Sequence, residues 1–411
     1  MRIGLFTDTY IPYINGVSTS VSVLKKALEK KGHQVFLVTV NSDGMKYKYE
    51  DGGRTIRLPG VPIGIYNYRL TEIYPLRVIN KIKKWKLDVI HSHTEFGVGT
   101  FARIVSKQFG IPLVHTYHTM YEDYVHYITH GYFNRSSKKL VVYLTLFYCD
   151  TTANELIVPT KKTWDLFKEK YKLDKNIYII PTGLEIERFY KENFSDSKLS
   201  CIREKLGIKK SDFVLLFVGR LGKEKSVDFL INSHKELLEI IPNLKLLIIG
   251  DGPEKEEFIS LSKKSKIDDS VIFTGMVPYD EIPAYYQIAN LFVTASKTET
   301  QGLTLIEAMA AGVVPVCIDD ESFKIIVINE LNGRIFKNKK DYKKIIIDLY
   351  NNNRVLNRMS KQARLSAEFH SSKYYAESVL DVYNHAIDSK KKKMNVIYRL
   401  VARNKKNNIF I

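Results

Sequence analysis

The stretch "LFVTASKTETQGLTLIEAMAAG", residues 291–312, joins a short apolar run, a polar loop and a longer run of apolar and small residues that ends at a glycine. The first run is typical of a buried strand, and the last of a packed helix that stops at Gly312. A strand, a loop and a helix in this order form one step of a parallel α/β sheet. The loop carries Glu299, and Glu307 follows eight positions later.

The same step recurs along the chain. Short apolar runs such as "RIGLFT" and "LDVIHSH" alternate with amphipathic runs in the first 180 residues, and the alternation restarts at "FVLLFVGRL". A chain of 411 residues is also too long for one ordinary core. The sequence therefore predicts an α/β protein with two doubly wound domains, over residues 1–182 and 183–370, followed by a C-terminal segment over 371–411.

Composition excludes several classes of protein. The three cysteines have no CxxC spacing, so neither a disulfide framework nor a zinc knuckle is indicated. The longest apolar run, "LVVYLTLFYC", is about half of the ~20 residues that a membrane-spanning helix needs. The first ten residues lack the apolar region of a signal peptide. We therefore expect a cytoplasmic protein without a membrane span.

The net charge of +18 is concentrated at the two ends of the chain. Residues 1–180 contain 26 basic and 15 acidic residues, and residues 390–411 contain eight basic and no acidic residues. Solvated lysine-rich faces are the ordinary explanation of such clusters. The concentration at the ends favours an acidic surface or a polyanion as partner.

Loops that follow predicted strands carry the candidate ligand-binding residues, since ligands of such sheets bind beyond the carboxyl ends of the strands. Asn15 and Gly16 precede a helix, whose start can bind an anion. Arg220 and Lys225 in "GRLGKEKS" can neutralise a diphosphate, although exposed loop cations are common. Neither GxGxxG after the first strand nor a P-loop pattern occurs.

The loop that carries Glu299, together with the start of the following helix, combines an anion site with carboxylates. Backbone N–H groups around Gly302, Leu303 and Thr304 form an anion site at the helix start. Glu299 and Glu307 would repel phosphate and suit neutral hydroxyls instead. Glutamate is common at helix starts, but this combination favours a ligand with a central diphosphate and a polyol at each end, which is the shape of a nucleotide sugar.

Several motifs together carry a family resemblance. "ETQGLTLIEAMAAG" resembles the E-x7-E motif of retaining GT-B glycosyltransferases, and "TDTYIPYINGVSTS", "DVIHSHTEFGVG", "IPTGLEIERF", "FVGRLGKEKS" and "IGDGPE" resemble other parts of that family. The resemblance implies two Rossmann-like domains that face a cleft, and C-terminal helices that cross back to the N-terminal domain.

Within this family, "INGVSTS", "RLPGVP" and "HTMYEDY" are most similar to diacylglycerol glucosyltransferases. That similarity implies a retaining, metal-independent enzyme that moves glucose from UDP-glucose to 1,2-diacylglycerol and forms alpha-monoglucosyldiacylglycerol. A hexosyltransferase of the same fold that acts on a polyprenyl-linked or soluble sugar acceptor in capsule or exopolysaccharide synthesis is the alternative.

The resemblance also implies roles for single residues. Glu307 would hold the ribose hydroxyls and Glu299 those of the hexose, while Arg220 and Lys225 would stabilise the departing UDP. His118 would lie near the sugar, with Gly16, Gly302, Leu303 and Thr304 around the donor. His118, Arg220, Lys225 and Glu299 are then the catalytic candidates. One departure is Asn15-Gly16-Val17, where many relatives carry a Gly-Gly pair.

Two further readings remain. Six of the ten histidines lie between residues 91 and 130, which makes a metal site conceivable, but no HExxH pattern completes one. We expect neither a metal nor a cofactor, with UDP-glucose as the donor substrate. Nucleic-acid binding would explain the charge, but no RNA- or DNA-binding module is recognisable, so nucleic acid is not an expected partner.

If the acceptor is dissolved in a bilayer, the basic ends of the chain could bind the enzyme to the membrane surface. Interfacial helices on anionic lipid mix apolar residues with cations, and each cation contributes ~1 kcal/mol. We expect peripheral attachment to the cytoplasmic face of the cell membrane. The alternative is that these helices pack by their apolar stripes. The predicted membrane-binding residues are Arg77, Lys81, Lys83, Lys84, Trp85, Lys86, Lys390, Lys391, Lys392 and Lys393.

Overall fold

The computed structural model describes residues 1–13, 15–62, 69–118, 145–296 and 301–407, with side chains for all of these but 150 and 393–407. The chain forms two compact units. Unit 1 comprises Met1–Gly183 together with Ser372–Ile411, and unit 2 comprises Leu184–Ser371. Each unit is described by itself below.

The described strands of unit 1 form an eight-stranded sheet and a separate hairpin. The sheet order is β10-β9-β8-β7-β1-β2-β4-β3, parallel except for the antiparallel pair β3 and β4. Strands β5 and β6 form the antiparallel hairpin. The strands are β1 Arg2–Phe6, β2 Gln34–Val40, β3 Lys48–Glu50, β4 Thr55–Leu58, β5 Val61–Pro62, β6 Arg69–Leu70, β7 Val89–Ser92, β8 Leu113–Thr116, β9 Glu155–Val158 and β10 Ile177–Ile179.

Both faces of this sheet are buried. Successive residues of β1 and β2 point to opposite faces, so that Leu5 and Leu37 lie in one apolar cluster whereas Phe6 and Phe36 lie in another. Helices cover the two faces, as the near-continuous apolar strands require. The described helices of unit 1 are α1 Gly16–Lys30, α2 Leu76–Trp85, α3 Gly97–Phe109, α4 Lys161–Asp165 and, from the C-terminal segment, α13 Ser372–Asn407.

Helix α13 packs on unit 1 through its N-terminal half. Its buried residues, from Tyr375 to Ala386, belong to the same apolar cluster as α1 and β1. The Tyr375 and Ser20 hydroxyls are 2.9 Å apart, and the Tyr383 hydroxyl lies 2.7 Å from Nδ1 of His91. The expectation that the C-terminal segment returns to the N-terminal domain is confirmed.

The apolar residues of helix α2 are buried, which contradicts the predicted membrane contact of Trp85. Val78, Ile79 and Ile82 are buried in the core of unit 1. Trp85 is only 6% exposed, with its ring centroid 4.9 Å from that of Phe36. The prediction that Trp85 binds a membrane is therefore wrong, because the apolar stripe of α2 is already used by the core.

Unit 2 is the more regular of the two. Its described strands form a six-stranded parallel sheet in the order β13-β12-β11-β14-β15-β16. Alternate residues of β11 again lie on opposite faces, with Leu215 in one cluster and Leu216 in another. The strands are β11 Phe213–Val218, β12 Leu244–Ile249, β13 Val271–Gly275, β14 Leu291–Thr294, β15 Val314–Ile318 and β16 Arg334–Phe336.

Helices cover both faces of this sheet as well, so the prediction of two doubly wound domains is confirmed. The described helices of unit 2 are α5 Asp196–Lys205, α6 Val227–Leu238, α7 Lys255–Lys264, α8 Ile282–Gln287, α9 Leu303–Ala310, α10 Glu321–Lys324, α11 Lys339–Asn351 and α12 Asn353–Ala367. Among the described residues of both units, no helix combines the length and the apolar composition needed to cross a membrane.

The strand order places the candidate loops. In unit 2 the order reverses between β11 and β14, which pair directly. Arg220 follows β11, and the loop before α9 follows β14. In unit 1 the order reverses between β1 and β7, so that the loops after β1, β7 and β8 share one edge. Such reversals are where open α/β sheets bind ligands.

Candidate functional site

The loops after β11 and β12 in unit 2 are packed backbone to backbone. Gly250 has φ +142°, and a Cβ there would lie 1.9 Å from the carbonyl oxygen of Gly219. A Cβ on Gly252 would lie 2.3 Å from the carbonyl oxygen of Leu221. The backbone N–H of Leu221 donates to the carbonyl of Asp251 at 2.9 Å. These glycines therefore fix the course of the chain on either side of Arg220.

Arg220 projects from this loop. Its side chain is 67% exposed, and Nη2 donates to Oε1 of Glu224 at 2.7 Å. This pairing lowers the pKa of Glu224. Lys225 is half-buried at the end of the 3-10 turn Lys223–Lys225. The structure therefore brings Arg220 and Lys225 to one loop, as predicted, and adds an acidic partner, Glu224, that the sequence analysis did not single out.

The start of α9 is held by its glycine. Gly302 caps the helix with φ +55°, in the left-handed region, and a Cβ there would lie 3.1 Å from Cδ1 of Ile326 and 3.3 Å from Cδ1 of Phe323. Leu303 and Thr304 follow as half-buried residues of the first turn, where backbone N–H groups have no partner within the helix. The predicted helix start is therefore confirmed, and anion binding by this turn stays a prediction. Glu299 lies outside the described residues.

Glu307 lies in the second turn of α9 and is 6% exposed. The hydroxyl of Tyr286, on α8, donates to its Oε2 at 2.8 Å. Burial raises the pKa of Glu307 to about 7, although the Tyr286 hydroxyl and the charge of Arg188 oppose the rise. Glu307 therefore stands near its ionisation midpoint at neutral pH. Local sequence gave no signal for Tyr286, which is 21 positions away.

In unit 1, Gly16 is the exposed first residue of α1. The side chain of Asn15 caps this helix, accepting from the backbone N–H of Ser18 at 2.8 Å and donating to Oγ1 of Thr9 at 2.8 Å. A Cβ on Gly16 would meet nothing within 4 Å. The fold therefore leaves open space at Gly16.

The histidines at the ends of β7 and β8 form a cluster in which His91, His93 and His115 are buried and His118 is half-buried. Nε2 of His118 lies 3.0 Å from Nδ1 of His93, so one ring donates and the other accepts. His115 bonds through Nε2 to Glu95 at 3.0 Å, and His91 bonds to Thr116 and Tyr383. Burial lowers the pKa of His118 to about 4 and that of His93 well below its usual value. Both are neutral imidazoles at neutral pH.

A metal centre finds no support among the described side chains. The described histidine, cysteine, aspartate and glutamate residues contain no group of three or more that could hold a metal ion. Both ring nitrogens of His91 and of His115 are used in protein hydrogen bonds, including the one from Nδ1 of His115 to the carbonyl of Ser92 at 2.9 Å. Nε2 of His93 is buried without a hydrogen-bond partner among the described residues.

The predicted basic residues are exposed to different degrees. Arg77, Lys83, Lys84 and Lys86 of the α2 region are exposed, and so are Lys391 and Lys392 of α13. Lys81 is half-buried, with Nζ 4.0 Å from the centroid of the Tyr49 ring. Burial lowers the pKa of Lys390. The side chain of Lys393 lies outside the described residues.

Comparison with known proteins agrees with this geometry. Residues 14–188 match the family described as Glycosyltransferase Family 4, and residues 200–366 match Glycosyl transferases group 1. The solved structure of Anabaena HepE in complex with UDP covers 94% of this chain and all of that chain, with a TM-score of 0.65 at 16% identity. This likeness shows the GT-B fold.

Two curated relatives are more similar in sequence. The alpha-monoglucosyldiacylglycerol synthase of Acholeplasma laidlawii is 37% identical over 96% of this chain and its own whole length. The protein of the same name from Streptococcus pneumoniae is 35% identical over 85% of this chain and 78% of that protein. Family matches cover both units, and candidate ligand-binding loops lie at both strand-order reversals. Together with the similarity to these synthases, they show that the chain is a GT-B glycosyltransferase of the family that contains them.

Proposed function

We propose that this chain transfers glucose from UDP-glucose to 1,2-diacylglycerol and forms alpha-monoglucosyldiacylglycerol with retention of configuration. The observation that carries the proposal is the similarity to two proteins named alpha-monoglucosyldiacylglycerol synthase, at 37% and 35% identity over most of the chain. UDP-glucose is the donor substrate, and neither a metal ion nor a cofactor takes part.

The donor is assigned to the loops of unit 2. Glu307 accepts from the ribose hydroxyls, and Glu299 accepts from the hydroxyls of the glucose. The N–H groups at the start of α9, around Gly302, Leu303 and Thr304, face the diphosphate. This assignment is supported by the position of the loops after β11 and β14, which lie where the strand order of the sheet reverses.

Arg220 and Lys225 stabilise the negative charge that develops on the departing UDP. Fixed cations at such a position contribute most to catalysis when they are oriented in advance. Glu224 supports this assignment, because its carboxylate accepts from the guanidinium of Arg220 at 2.7 Å and so shows that this cation can bind an anionic group. When the diphosphate binds, it replaces Glu224 as the anionic partner of Arg220.

Two residues of unit 1, Gly16 and His118, are assigned roles that need no charged side chain. Gly16 provides space for the donor phosphates at the start of α1, where a Cβ would meet nothing within 4 Å. His118 contributes to catalysis as a neutral imidazole that bonds a sugar hydroxyl, because burial lowers its pKa to about 4. A cationic role for His118 at neutral pH does not fit this environment.

The acceptor is a lipid, so the enzyme works as a peripheral protein on the cytoplasmic face of the membrane. The exposed cations Arg77, Lys83, Lys84 and Lys86 suit an anionic surface. Because the apolar stripe of α2 is buried, contact with the acyl region comes from exposed apolar side chains just before and at the start of α2. These are Val61 and Leu70, which pair across the β5–β6 hairpin, and Ile73 and Leu76.

Transfer from labelled UDP-glucose to diacylglycerol in vesicles tests the reaction. We expect a glucosylated lipid whose anomeric proton coupling identifies the alpha form, and loss of product with Glu307→Ala. If product forms equally well from UDP-galactose, the assignment of UDP-glucose as the donor is contradicted. Transfer to a polyprenyl-linked sugar with none to diacylglycerol would contradict the acceptor and favour the capsule-type alternative.

Vesicle binding tests the membrane contact separately. Lys83→Glu with Lys84→Glu, and Leu76→Ser, should each weaken binding to vesicles that contain anionic lipid. Lys209→Glu with Lys210→Glu, two exposed lysines of unit 2, is the matched control and should bind normally. Equal weakening by both charge reversals would show that net charge alone, and not the α2 region, determines binding.

A further inference from the structure

Tyr286 contacts Glu307, the acidic residue of α9. It belongs to α8 and is completely buried. Its hydroxyl donates to Oε2 of Glu307 at 2.8 Å and lies 3.3 Å from the carbonyl oxygen of Thr304. Both acceptors belong to α9. The single hydroxyl proton favours the nearer oxygen, because a bond to a carboxylate is stronger than one to a neutral carbonyl.

The ring of Tyr286 is fixed from two sides. The centroid of Phe189, in the 3-10 turn Ile186–Phe189, is 5.6 Å away with its ring at 76°. The centroid of Phe292, on β14, is 6.0 Å away. Because two separate elements pack closely against the ring, its orientation is restricted, and so is the position of its hydroxyl. The donor that reaches Glu307 is therefore oriented before any ligand arrives.

Other charges near Glu307 are already engaged elsewhere. Arg188 acts on it electrostatically, but its Nη2 donates to Oδ1 of Asp280 at 2.7 Å and its guanidinium lies 4.6 Å from the centroid of the Tyr279 ring. Tyr279 also interacts electrostatically with Glu307. Tyr286 thus supplies the direct contact that sets the direction of the carboxylate.

We infer that Tyr286 is a positioning residue of the donor site: its hydroxyl holds Oε2 of Glu307 so that the other carboxylate oxygen is turned toward the ribose hydroxyls of the nucleotide. The inference rests on the role proposed above for Glu307. If the carboxylate rotates freely before the ligand binds, the loss of this freedom weakens the affinity for the ligand. A carboxylate that is already oriented avoids this loss.

A double-mutant cycle separates this role from a merely structural one. UDP binding to the full chain is measured by calorimetry at pH 8 for the wild type, Tyr286→Phe, Glu307→Ala and the double variant. We expect Tyr286→Phe to weaken UDP binding about tenfold, which corresponds to about 1.4 kcal/mol. In the Glu307→Ala background the same change should have no further effect, because the group that Tyr286 orients is gone.

Tyr342→Phe is the matched control. Tyr342 is completely buried in unit 2, and burial alone raises the pKa of its phenol. Loss of this hydroxyl should leave UDP binding unchanged. In steady-state assays Tyr286→Phe should raise the KM for UDP-glucose and leave kcat nearly unchanged.

The pH dependence of UDP-glucose binding gives a second readout that packing alone would not move. Among the described residues, the groups that act on Glu307 are Tyr286, Arg188 and Tyr279. Since the Tyr286 hydroxyl lowers the pKa of Glu307, its removal should shift the loss of affinity on acidification to higher pH. UDP-glucose is the probe, because its diphosphate diester does not titrate near neutral pH.

The possible failures are distinguishable. If Glu307→Ala leaves UDP affinity unchanged, the ribose role of Glu307 is wrong and the inference about Tyr286 falls with it. If Glu307→Ala weakens binding but Tyr286→Phe does not, only the inference about Tyr286 is overturned. Equal weakening by Tyr286→Phe in both backgrounds, without a shift in pH dependence, would overturn it as well.

Discussion

Helices α1 and α9 are built alike, one in each unit. Each begins one loop after a parallel strand and has a glycine at its start. Five positions after the capping residue, each buries a polar side chain that bonds to a tyrosine hydroxyl. In α1 this is Ser20, at 2.9 Å from Tyr375, and in α9 it is Glu307, at 2.8 Å from Tyr286.

The physical reasons for the residues differ between the two helices. Gly302 has a left-handed backbone and crowded surroundings, whereas a Cβ on Gly16 would meet open space. Ser20 stays neutral at every accessible pH, whereas burial raises the pKa of Glu307 to about 7. The comparison teaches that the fold of unit 2 itself requires the glycine of α9, whereas no described neighbour requires the glycine of α1.

The largest expected effect is the pH dependence of Glu307, the buried ionisable side chain that α9 has where α1 has Ser20. The pKa of Glu307 is about 7 in the folded chain and about 4.5 otherwise, so the folded chain binds the proton more tightly between these values. The wild type therefore loses up to roughly 3 kcal/mol of stability as the pH rises from 4.5 to above 7. Glu307→Gln does not titrate and should gain stability relative to the wild type by that amount.

Urea denaturation of both chains at pH 5 and pH 8 measures the difference. Ser20→Ala is the comparison variant in α1. Its stability relative to the wild type should be the same at both pH values, because burial raises the pKa of Tyr375 to about 12 and serine does not titrate. A stability difference between Glu307→Gln and the wild type that is constant with pH would break the contrast.

The next effect concerns the glycine of α9. A left-handed backbone disfavours any side chain by about 1–2 kcal/mol. At Gly302 the added Cβ also lies 3.1 Å from Cδ1 of Ile326. Gly302→Ala should therefore lower the free energy of unfolding by about 1–2 kcal/mol. Thermal or urea denaturation at pH 7 checks this, and an unchanged midpoint would show that the two glycines are equivalent.

The smallest effect is expected at the start of α1. Gly16→Ala should change stability by less than about 0.5 kcal/mol, because the site is open and alanine suits a helix. Asn15→Ala, one residue away, removes the cap and should cost about 1 kcal/mol. Since Gly16→Ala is structurally silent, a raised KM for UDP-glucose in this variant would report approach of the donor. An unchanged KM would contradict the role proposed for Gly16.

Much of the fold follows from the sequence because it depends on local pattern. Strand β11 is a continuous apolar run, as is β12 from Leu246 onward, and such runs are typical of strands that are buried on both faces. The helix after β14 and its end at Gly312 follow from the same kind of pattern. The division between core and surface on α2 does not, since a stripe of Val78, Ile82 and Trp85 suits a core as well as a membrane.

The candidate site was predictable only where chemistry and spacing coincide. Arg220 and Lys225 share a loop after a strand, and Glu307 lies on the helix after the next strand in the sheet. The sequence gives no signal for Glu224, because an acidic residue beside two cations is typical of an ordinary exposed ion pair. Tyr286 could not be recognised, because its contact with Glu307 depends on how α8 and α9 pack.

Unit 1 is made from two separated pieces of chain, and this has a consequence for synthesis. Residues 184–371, which form unit 2, are contiguous and leave the ribosome before α13 does. Until α13 emerges, the apolar cluster around β1 and α1 lacks the wall formed by residues from Tyr375 to Ala386. The domain that is translated first is therefore the last to be completed, and during translation its apolar surface is the one that needs protection from aggregation.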